Sequence, residues 1–262
     1  MQAHLIQLDI SWENRDANFQ ATADLLAHTD TKPNDLIVLP ELFDSGFSLN
    51  ISHTNDQDNA TEHFLMHLST TLRVYVAGGR TVRPQASTRA LNMMTVYGPS
   101  GEKVADYAKI HPFTFGREPE AFDAGDTVVT FSWADSSGDT LRVCPAICYD
   151  LRFPELFRLG MRRGAEVFAI GANWPSSRQD HWRTLLIARA IENQAFVLGA
   201  NRTGDDPYLN YKGGTIAIDP KGRILGELAD EIGVLSVPID SALLHAWRRE
   251  FPAWRDARLL DR

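Results

Sequence analysis

Three side chains that could together carry out acyl transfer each follow a short apolar segment. Glu41 follows DLIVLP, Lys109 follows KVADYA and Cys148 follows LRVCPAI. Ligands of open α/β sheets bind beyond the carboxyl ends of the strands, so polar groups at such ends can converge. A cysteine nucleophile, a carboxylate base and a cation near the developing oxyanion form a complete set for this chemistry. Asn173 and Trp174 follow a further apolar segment, VFAIG, in the same way.

Each of the three residues also has an ordinary structural interpretation. A free cysteine is most often a small buried apolar residue, and Cys144, inside its apolar segment, fits that role better than Cys148. Glu41 could begin a helix after Pro40, and Lys109 could be a solvated surface residue. A free thiol has a pKa of about 8.5, so Cys148 needs activation. A helix start at its turn would stabilise the thiolate, and burial would raise the pKa of Glu41 toward that of a neutral-pH base.

The pattern of apolar segments predicts a mixed sheet with helices packed outside it. Short continuous apolar runs predict buried strands at residues 35–40, 74–78, 141–147, 167–171 and 196–200. Helical spacing and helix-terminal residues predict helices at residues 15–28, 154–163 and 179–193.

Two further segments predict β-hairpins of similar design. Residues 91–97 turn through GPSG into residues 103–107, and residues 215–218 turn through DPKG into residues 224–227. Both turns carry the proline and glycine that tight turns favour. Because each hairpin follows a predicted buried strand, we interpret the chain as two similarly built halves.

The composition fits a globular protein, and we expect a single domain spanning residues 1–262. Hydrophobic residues make up 44% of the chain and charged residues 23%. The net charge of −8 argues against a nucleic-acid partner, which would favour a basic surface. No apolar run approaches the ~18 residues of a membrane span, and the first residues do not read as a signal peptide. We therefore expect a cytoplasmic protein with no membrane partner.

The cysteine and histidine spacings argue against a disulfide and against a metal site. If Cys144 and Cys148 lie on one strand, four residues at ~3.3 Å each separate their Cα atoms by ~13 Å, too far for a disulfide. The eight histidines show no HExxH-like spacing. His111 and His181 would be the candidate bases of a Cys–His enzyme, which we consider the weaker interpretation. We expect neither a metal nor a cofactor.

The ordered motifs resemble those of the nitrilase, or carbon–nitrogen hydrolase, superfamily. PELFDSGF, YAKIHPF and CYDLRFPELFR look like its glutamate, lysine and cysteine signatures. The resemblance continues through ANWP, ARAIENQ, ANRTG and DPKGRILGE, and therefore spans nearly the whole chain. It implies a four-layer α-β-β-α sandwich of the nitrilase type, with two mixed sheets and outer helices. Within the superfamily, the chain looks closest to the omega-amidase group.

The resemblance implies a Cys–Glu–Lys triad that hydrolyses a small-molecule amide. Glu41 would accept the thiol proton, and Cys148 would attack the carbonyl to form a thioester. Lys109 and the backbone N–H of Tyr149 would hold the oxyanion. The omega-amidase group hydrolyses the terminal amide of 2-oxo dicarboxylic monoamides to acid and ammonia. An N-carbamoyl amino acid hydrolase, an aliphatic amidase, a nitrilase and a non-catalytic nitrilase-fold binding module remain alternatives.

The family often has a second glutamate shortly after the lysine, and two residues compete for that role. The segment reads FGREPE, so Glu118 is our choice and Glu120 the rival. Glu118 could instead be a loop carboxylate paired with Arg117. Arg117, or another arginine, could bind a substrate carboxylate, because a guanidinium suits bidentate capture.

Several aromatic residues near these motifs are candidate walls of a substrate pocket, although each could equally belong to the core. They are Phe47, Phe115, Tyr149 and Trp174. We interpret Asp150 and Arg152, which follow the cysteine, as a structural ion pair that holds the turn.

We also expect at least a homodimer, because family members usually self-associate through helices and C-terminal segments. Residues 182–193 and 247–260 could supply the apolar contact, the latter through Phe251, Pro252 and Trp254.

Overall fold

The computed structural model describes residues 1–85 and 87–258. Its strands are β1 Gln2–Gln7, β2 Leu36–Val38, β3 Tyr75–Val82, β4 Ala90–Tyr97, β5 Lys103–Ala108, β6 Phe122–Asp123, β7 Phe131–Ala134, β8 Thr140–Ile147, β9 Val167–Ala172, β10 Phe196–Asn201, β11 Thr203–Asp205, β12 Asn210–Lys212, β13 Ile216–Ile218, β14 Ile224–Glu227 and β15 Gly233–Pro238. Its α-helices are α1 Arg15–Ala27, α2 Ile51–Thr54, α3 Ala60–Leu72, α4 Pro154–Arg162, α5 Gln179–Asn193 and α6 Ser241–Glu250. All five predicted buried strands and all three predicted helices are present.

The two large sheets repeat one pattern of strand pairing. The first sheet has the order β15-β1-β2-β3-β4-β5, and β6 pairs with β4. The second has the order β7-β8-β9-β10-β13-β14. In these orders, the five successive pairs of neighbouring strands have the same directions in both sheets: antiparallel, parallel, parallel, antiparallel and antiparallel. The predicted hairpins form β4–β5 and β13–β14 and occupy equivalent positions, which confirms the two similarly built halves.

The sheets pack face to face, and helices cover the outer face of each. Leu36 and Val38 of β2 belong to the core shared with the second sheet. Ile37, which points to the opposite face of β2, belongs to a separate cluster with Leu26 of α1 and Leu65 of α3. On the second sheet, α5 packs so closely that a Cβ at Gly199 would lie 2.9 Å from side-chain atoms of this helix. The four-layer α-β-β-α architecture predicted from the resemblance is therefore correct.

The sequence did not predict β1 or β15, which complete the first sheet. These strands pair antiparallel over six residues, from Gln2 opposite Pro238 to Gln7 opposite Gly233. β15 is only partly buried and lies at the edge of the sheet, so its apolar signal is weak. Its partner is more than two hundred residues away, and local sequence patterns do not report such pairings.

Within the described residues, no helix is long and apolar enough to cross a membrane. Cys144 and Cys148 are both free thiols, as their spacing predicted.

Candidate active site

The two large sheets bring the predicted catalytic side chains together at the ends of their strands. Glu41 lies in the turn after β2, Lys109 follows β5 directly, and Cys148 follows β8 directly. Asn173 follows β9, the neighbour of β8 in the second sheet. Glu41 and Lys109 therefore come from one sheet and Cys148 and Asn173 from the other, so the site lies between the two halves of the fold.

Two glycines allow the segment that carries Glu41 to lie between the sheets. A Cβ at Gly79 of β3 would lie 2.3 Å from the backbone nitrogen of Leu42. A Cβ at Gly171 of β9 would lie 2.6 Å from the carbonyl oxygen of Leu39 and 3.0 Å from the nitrogen of Glu41. Any larger residue at either position would push the backbone of the Glu41 segment away from the site.

Lys109 is the centre of a buried ionic cluster with two glutamates. Its Nζ lies 2.7 Å from Glu41 Oε1 and 2.8 Å from Glu118 Oε2. The lysine is 1% exposed and both glutamates 0%. Burial alone would lower the pKa of Lys109, but the charges of Glu118 and Glu41 outweigh it and raise the pKa, so the ammonium stays protonated.

Asn92 of β4 bridges the same two carboxylates from within the first sheet. Its Nδ2 donates to Glu41 Oε1 at 2.8 Å and to Glu118 Oε1 at 2.9 Å. Asn173 fixes Glu41 from the second sheet: its backbone N–H donates to Glu41 Oε2 at 3.0 Å, and its Nδ2 donates to the Glu41 carbonyl at 2.6 Å. Glu41 is thereby locked in position by residues of both halves.

Cys148 begins a 3-10 helix, Cys148–Arg152, with a backbone conformation that side chains rarely adopt. Its φ is +45°, in the left-handed region that disfavours residues with a Cβ. Such strain, of order 1–3 kcal/mol, is concentrated at functional sites where the surrounding structure imposes it. The sharp turn brings the thiol close enough to Glu41 for the carboxylate to raise the pKa of the thiol, and both residues line the same cavity.

Asp150 holds this turn by accepting hydrogen bonds from both sides of the site. Its Oδ2 accepts from the Ile147 backbone at 3.0 Å and from the Tyr107 hydroxyl at 2.7 Å. Its Oδ1 accepts from the backbone and ring of His111, two residues after Lys109. The predicted Asp150–Arg152 ion pair is therefore wrong: the carboxylate is buried and already satisfied, and Arg152 points elsewhere.

The charge states of the thiol and its base differ from those expected from the sequence. Burial, followed by the negative charge of Glu41, raises the pKa of Cys148 well above its usual value. Burial also favours a higher pKa for Glu41, but the charge of Lys109 and hydrogen bonds from Lys109, Asn173 and Asn92 lower it overall. The expected raised pKa of Glu41 is therefore wrong in direction. The resting site pairs a protonated thiol with an ionised carboxylate that can accept its proton.

A cavity of about 920 Å³ opens onto the thiol. The four predicted wall residues all line it: Phe47, Phe115, Tyr149 and Trp174. Phe47 also packs against the Lys109 cluster, because Lys109 Nζ lies 5.4 Å from the centre of its ring. Trp174 is held by its backbone N–H, which donates to Asn201 Oδ1 at 2.8 Å.

The structure separates the two rival glutamates. Glu118 is buried against Lys109 and also accepts a hydrogen bond from the Phe113 backbone at 2.5 Å. Glu120 lies at the surface and accepts two hydrogen bonds from the guanidinium of Arg117, at 2.8 and 2.7 Å. Arg117 lines the mouth of the cavity, but it is 72% exposed and already paired. We therefore correct our prediction that Arg117 binds a substrate carboxylate.

Two other arginines line the cavity and face aromatic rings. The guanidinium of Arg152 lies 4.8 Å from the centre of the Trp174 ring, and that of Arg178 lies 5.4 Å from the centre of the Phe113 ring. Arg152 also donates a 3.2 Å hydrogen bond to His181 Nδ1. Across residues 1–85 and 87–258, neither guanidinium has a carboxylate oxygen within 4.0 Å. Both are half-buried cations without a counter-charge.

His111 and His181 have partners other than the thiol. His111 bonds to Asp150 and stacks on Phe153 with ring centres 3.8 Å apart, and His181 accepts from Arg152. Neither histidine lines the cavity. The geometry gives no support to a Cys–His enzyme.

Sequence reasoning missed Asn92 and Arg178, and it assigned Asp150 and Arg152 only to a structural ion pair. A signal existed for Asn92, because asparagine is depleted in strands and this one interrupts the apolar β4. Neither Arg152 nor Arg178 carried a sequence signal for substrate binding, since a cation that follows a turn is usually interpreted as a surface residue.

Comparison with known proteins defines the family. The carbon–nitrogen hydrolase family profile matches residues 2–249. A 2-oxoglutaramate amidase of Bacillus subtilis (strain 168) is 34% identical, over 97% of this chain and 96% of its own. An omega-amidase of Escherichia coli (strain K12) is 32% identical, over 97% of this chain and 95% of its own. The chain therefore belongs to the carbon–nitrogen hydrolase family, and it is an amidase of the nitrilase superfamily.

Solved structures share the same fold. A carbon–nitrogen hydrolase superfamily protein of Xanthomonas campestris, which holds an arsenic adduct in its active site, is 32% identical with a TM-score of 0.90. The superposition covers 98% of this chain and 97% of that one. A nitrilase superfamily member of Saccharomyces cerevisiae is 25% identical with a TM-score of 0.83, over 96% of this chain and 94% of that one.

Proposed function

We propose that this protein hydrolyses the terminal amide of a small 2-oxo dicarboxylic monoamide to the acid and ammonia, through a Cys148 thioester. The observation that carries the proposal is the arrangement of one cavity: a thiol and an ionised carboxylate stand at the inner end, and two guanidiniums that have no carboxylate partner among the described residues line the wall. The related 2-oxoglutaramate amidase and omega-amidase support the same substrate class.

In the first step, Glu41 takes the thiol proton as Cys148 attacks the amide carbonyl. The closeness of the two groups, seen in the effect of Glu41 on the pKa of the thiol, supports this proton transfer. The thiol stays protonated until substrate is bound, because burial and the Glu41 charge raise its pKa. Proton transfer to Glu41 removes that negative charge, so the thiolate forms beside a neutral carboxyl group and the Lys109 ammonium.

The oxyanion that develops on the carbonyl is stabilised by Lys109 and the backbone N–H of Tyr149. An ammonium has three donors, and its two shortest contacts go to Glu41 and Glu118. Nζ contacts both Glu118 oxygens, at 2.8 and 3.1 Å, so one bifurcated donor can serve this carboxylate and leave the third donor for substrate. The Tyr149 N–H lies in the first turn of the 3-10 helix, where backbone donors have no intrahelical acceptor.

Collapse of the tetrahedral intermediate releases the nitrogen, to which Glu41 returns the proton it accepted. Ammonia departs and leaves the acyl group on Cys148 as a thioester. A water molecule that loses its proton to Glu41 then attacks the thioester, and the acid leaves as the thiol is restored. Glu41 serves both half-reactions, which requires the fixed position that Asn92 and Asn173 give it.

Arg152 and Arg178 provide the reason to propose an anionic substrate. A half-buried guanidinium without a counter-charge is a ready partner for a carboxylate. Arg152 lies four residues after Cys148 and stacks on Trp174, so a carboxylate bound there would hold the amide of a short chain near the thiol. Net charge does not oppose this, because two local cations outweigh a distant surface charge of −8.

The test is ammonia release from a panel of amides at equal concentration. We expect the highest kcat/KM for 2-oxoglutaramate or 2-oxosuccinamate, and at least about tenfold lower values for the uncharged amides butyramide and propionamide. Equal activity on charged and uncharged amides would contradict the carboxylate site. Carbon dioxide release from N-carbamoyl amino acids would favour a carbamoylase, and acid formation from nitriles would favour a nitrilase.

We also propose that the protein is at least a homodimer. Ile191 of α5 is 54% exposed and Phe251, just after α6, is 54% exposed. Trp182, which we had included in the contact surface, is fully buried and cannot contribute. Leu259 and Leu260 of the predicted C-terminal contact lie outside the described residues.

Sedimentation is expected to show a species of at least twice the 29.3 kDa chain mass at micromolar concentration. Replacing Ile191 with lysine places a charge in the proposed contact and should shift the protein toward the monomer. Ile232→Lys is the matched control, because Ile232 is 57% exposed in a different part of the surface. A monomeric wild-type protein, or equal effects of both substitutions, would exclude this interface.

A further inference from the structure

We propose that Arg178 makes this amidase reject 2-amino substrates such as glutamine while accepting their 2-oxo and unsubstituted counterparts. The inference rests on the proposed function, because it assumes that the substrate carboxylate binds at the arginine wall of the cavity. It assigns to Arg178 a role in specificity rather than in bond breaking.

The two arginines share one aromatic surface. Arg152 faces Trp174, and the Trp174 indole N–H donates to the carbonyl of Arg178 at 2.8 Å. Arg178 faces the ring of Phe113. The centre of this ring lies 4.9 Å from that of Tyr149, which also faces the guanidinium of Arg152. The wall therefore presents two positive charges against aromatic faces.

Two of the four carboxylates that line the cavity are paired with cations, and the other two accept hydrogen bonds from neutral groups. Glu120 pairs with Arg117, and Glu41 pairs with Lys109. Glu13 accepts from the Ser48 hydroxyl at 2.5 Å. Asp206 accepts from the backbone of the turn that carries it and, at 2.6 Å, from the Tyr211 hydroxyl. A sensor for an α-ammonium group would need a carboxylate beside the arginines, and within the described residues none lies within 4.0 Å of either guanidinium.

The chemistry of the substrate decides the consequence. In an α-amino acid, the ammonium is attached to the carbon next to the carboxylate, so any site that binds the carboxylate also receives the ammonium. One arginine can pair with the carboxylate, but a second uncompensated cation then repels the ammonium. A 2-oxo group carries no charge, and its oxygen can accept a hydrogen bond from the same guanidinium. Like-charge contacts of this kind exclude wrong partners.

Three five-carbon amides that differ only at carbon 2 test this: glutaramate, 2-oxoglutaramate and glutamine. For the wild-type protein we expect kcat/KM for glutamine to be about 100-fold below that for glutaramate. Arg178→Gln should raise the glutamine-to-glutaramate ratio about tenfold, although it lowers both values, and Arg178→Lys should keep the ratio within about threefold of wild type. Arg117→Gln is the matched control, because its charge is already paired, and its ratio should equal that of wild type.

Glutaramate, which carries no group at carbon 2, separates repulsion of the ammonium group from hydrogen bonding to the 2-oxo oxygen. If Arg178 only bound the 2-oxo oxygen, Arg178→Gln would lower the 2-oxoglutaramate-to-glutaramate ratio and leave the glutamine ratio unchanged, which would overturn the proposal. Equal wild-type hydrolysis of glutamine and glutaramate would also overturn it. A wild-type protein that hydrolyses none of the three amides would instead refute the proposed function.

A binding measurement covers the case in which Arg178→Gln is inactive. Glutarate and glutamate are titrated against Cys148→Ala protein with and without Arg178→Gln. Repulsion predicts that glutarate binds more tightly than glutamate, and that Arg178→Gln reduces this preference about tenfold. A preference that does not change on removal of the charge would exclude the proposed role.

Discussion

Replacement of Cys148 by alanine is expected to lower the kcat of amide hydrolysis by at least about 10⁴-fold, because losing the nucleophile of a triad leaves only the residual effects of binding and oxyanion stabilisation. The fold should survive. Cysteine and alanine both carry a Cβ, so the strain at φ +45° is the same in both proteins. Ammonia release measures the activity, and thermal unfolding measures the stability.

Cys144→Ala is the matched control for this prediction. Cys144 is the second free cysteine, and it is buried in β8 behind Gly160 rather than in the cavity. Burial raises the pKa of its thiol to about 12, so it stays protonated and unreactive. We expect Cys144→Ala to keep full kcat and to lose about 1 kcal/mol of stability from the smaller side chain. Substantial activity in Cys148→Ala would refute the thioester mechanism.

Replacement of Lys109 by methionine is expected to damage both activity and stability. Methionine keeps the length of the side chain but removes the charge between Glu41 and Glu118. Removing one partner of a buried ionic cluster typically costs about 3–5 kcal/mol, because the remaining charges stay buried. Loss of an oxyanion donor alone lowers kcat by about 10²–10³-fold. The wrong protonation state of Glu41 should lower it further.

The stability of Lys109→Met should depend on pH in a defined direction. Burial already raises the pKa of Glu118 in wild type, and without the lysine the pKa of at least one of the two carboxyl groups should rise further above its unfolded value of about 4.3. A carboxyl group whose pKa is higher in the folded than in the unfolded state does not destabilise the protein below its unfolded pKa, because it is protonated in both states. As pH rises through its folded pKa, its contribution to the free energy of unfolding is lost. In wild type, Lys109 stays protonated and pairs with both carboxylates. Urea unfolding should therefore show a larger deficit of the variant at pH 8 than at pH 5.

The double variant Lys109→Met/Glu118→Gln is the control that separates the two effects. It removes one of the buried charges that the single variant leaves unpaired, so it should regain part of the stability and lose much of the pH dependence. It should not regain activity, since the ammonium is still absent. Recovery of activity in the double variant would show that Lys109 only holds the two glutamates in place.

The strands and helices of the interior were predictable because burial leaves a local pattern. β8, β9 and β10 are nearly continuous apolar segments, as expected for strands covered on both faces. Helix α5 was predicted with its correct ends, Gln179 and Asn193. β15 escaped prediction because it pairs with the first strand of the chain and is only partly buried.

The sequence by itself determined the chemistry-bearing residues, because Glu41, Lys109 and Cys148 each follow a strand within an extended motif. It also determined the two similar halves, because turn residues mark both hairpins. Only the tertiary structure decided which groups share a charge environment. Asp150 forms a hydrogen bond with His111 rather than an ion pair with Arg152. Burial would raise the pKa of Glu41, but the charge of Lys109 and the hydrogen bonds from Lys109, Asn173 and Asn92 lower it. The physical reason is that electrostatic interactions depend on distances between atoms, and residues far apart in the chain acquire those distances only when the two sheets pack together.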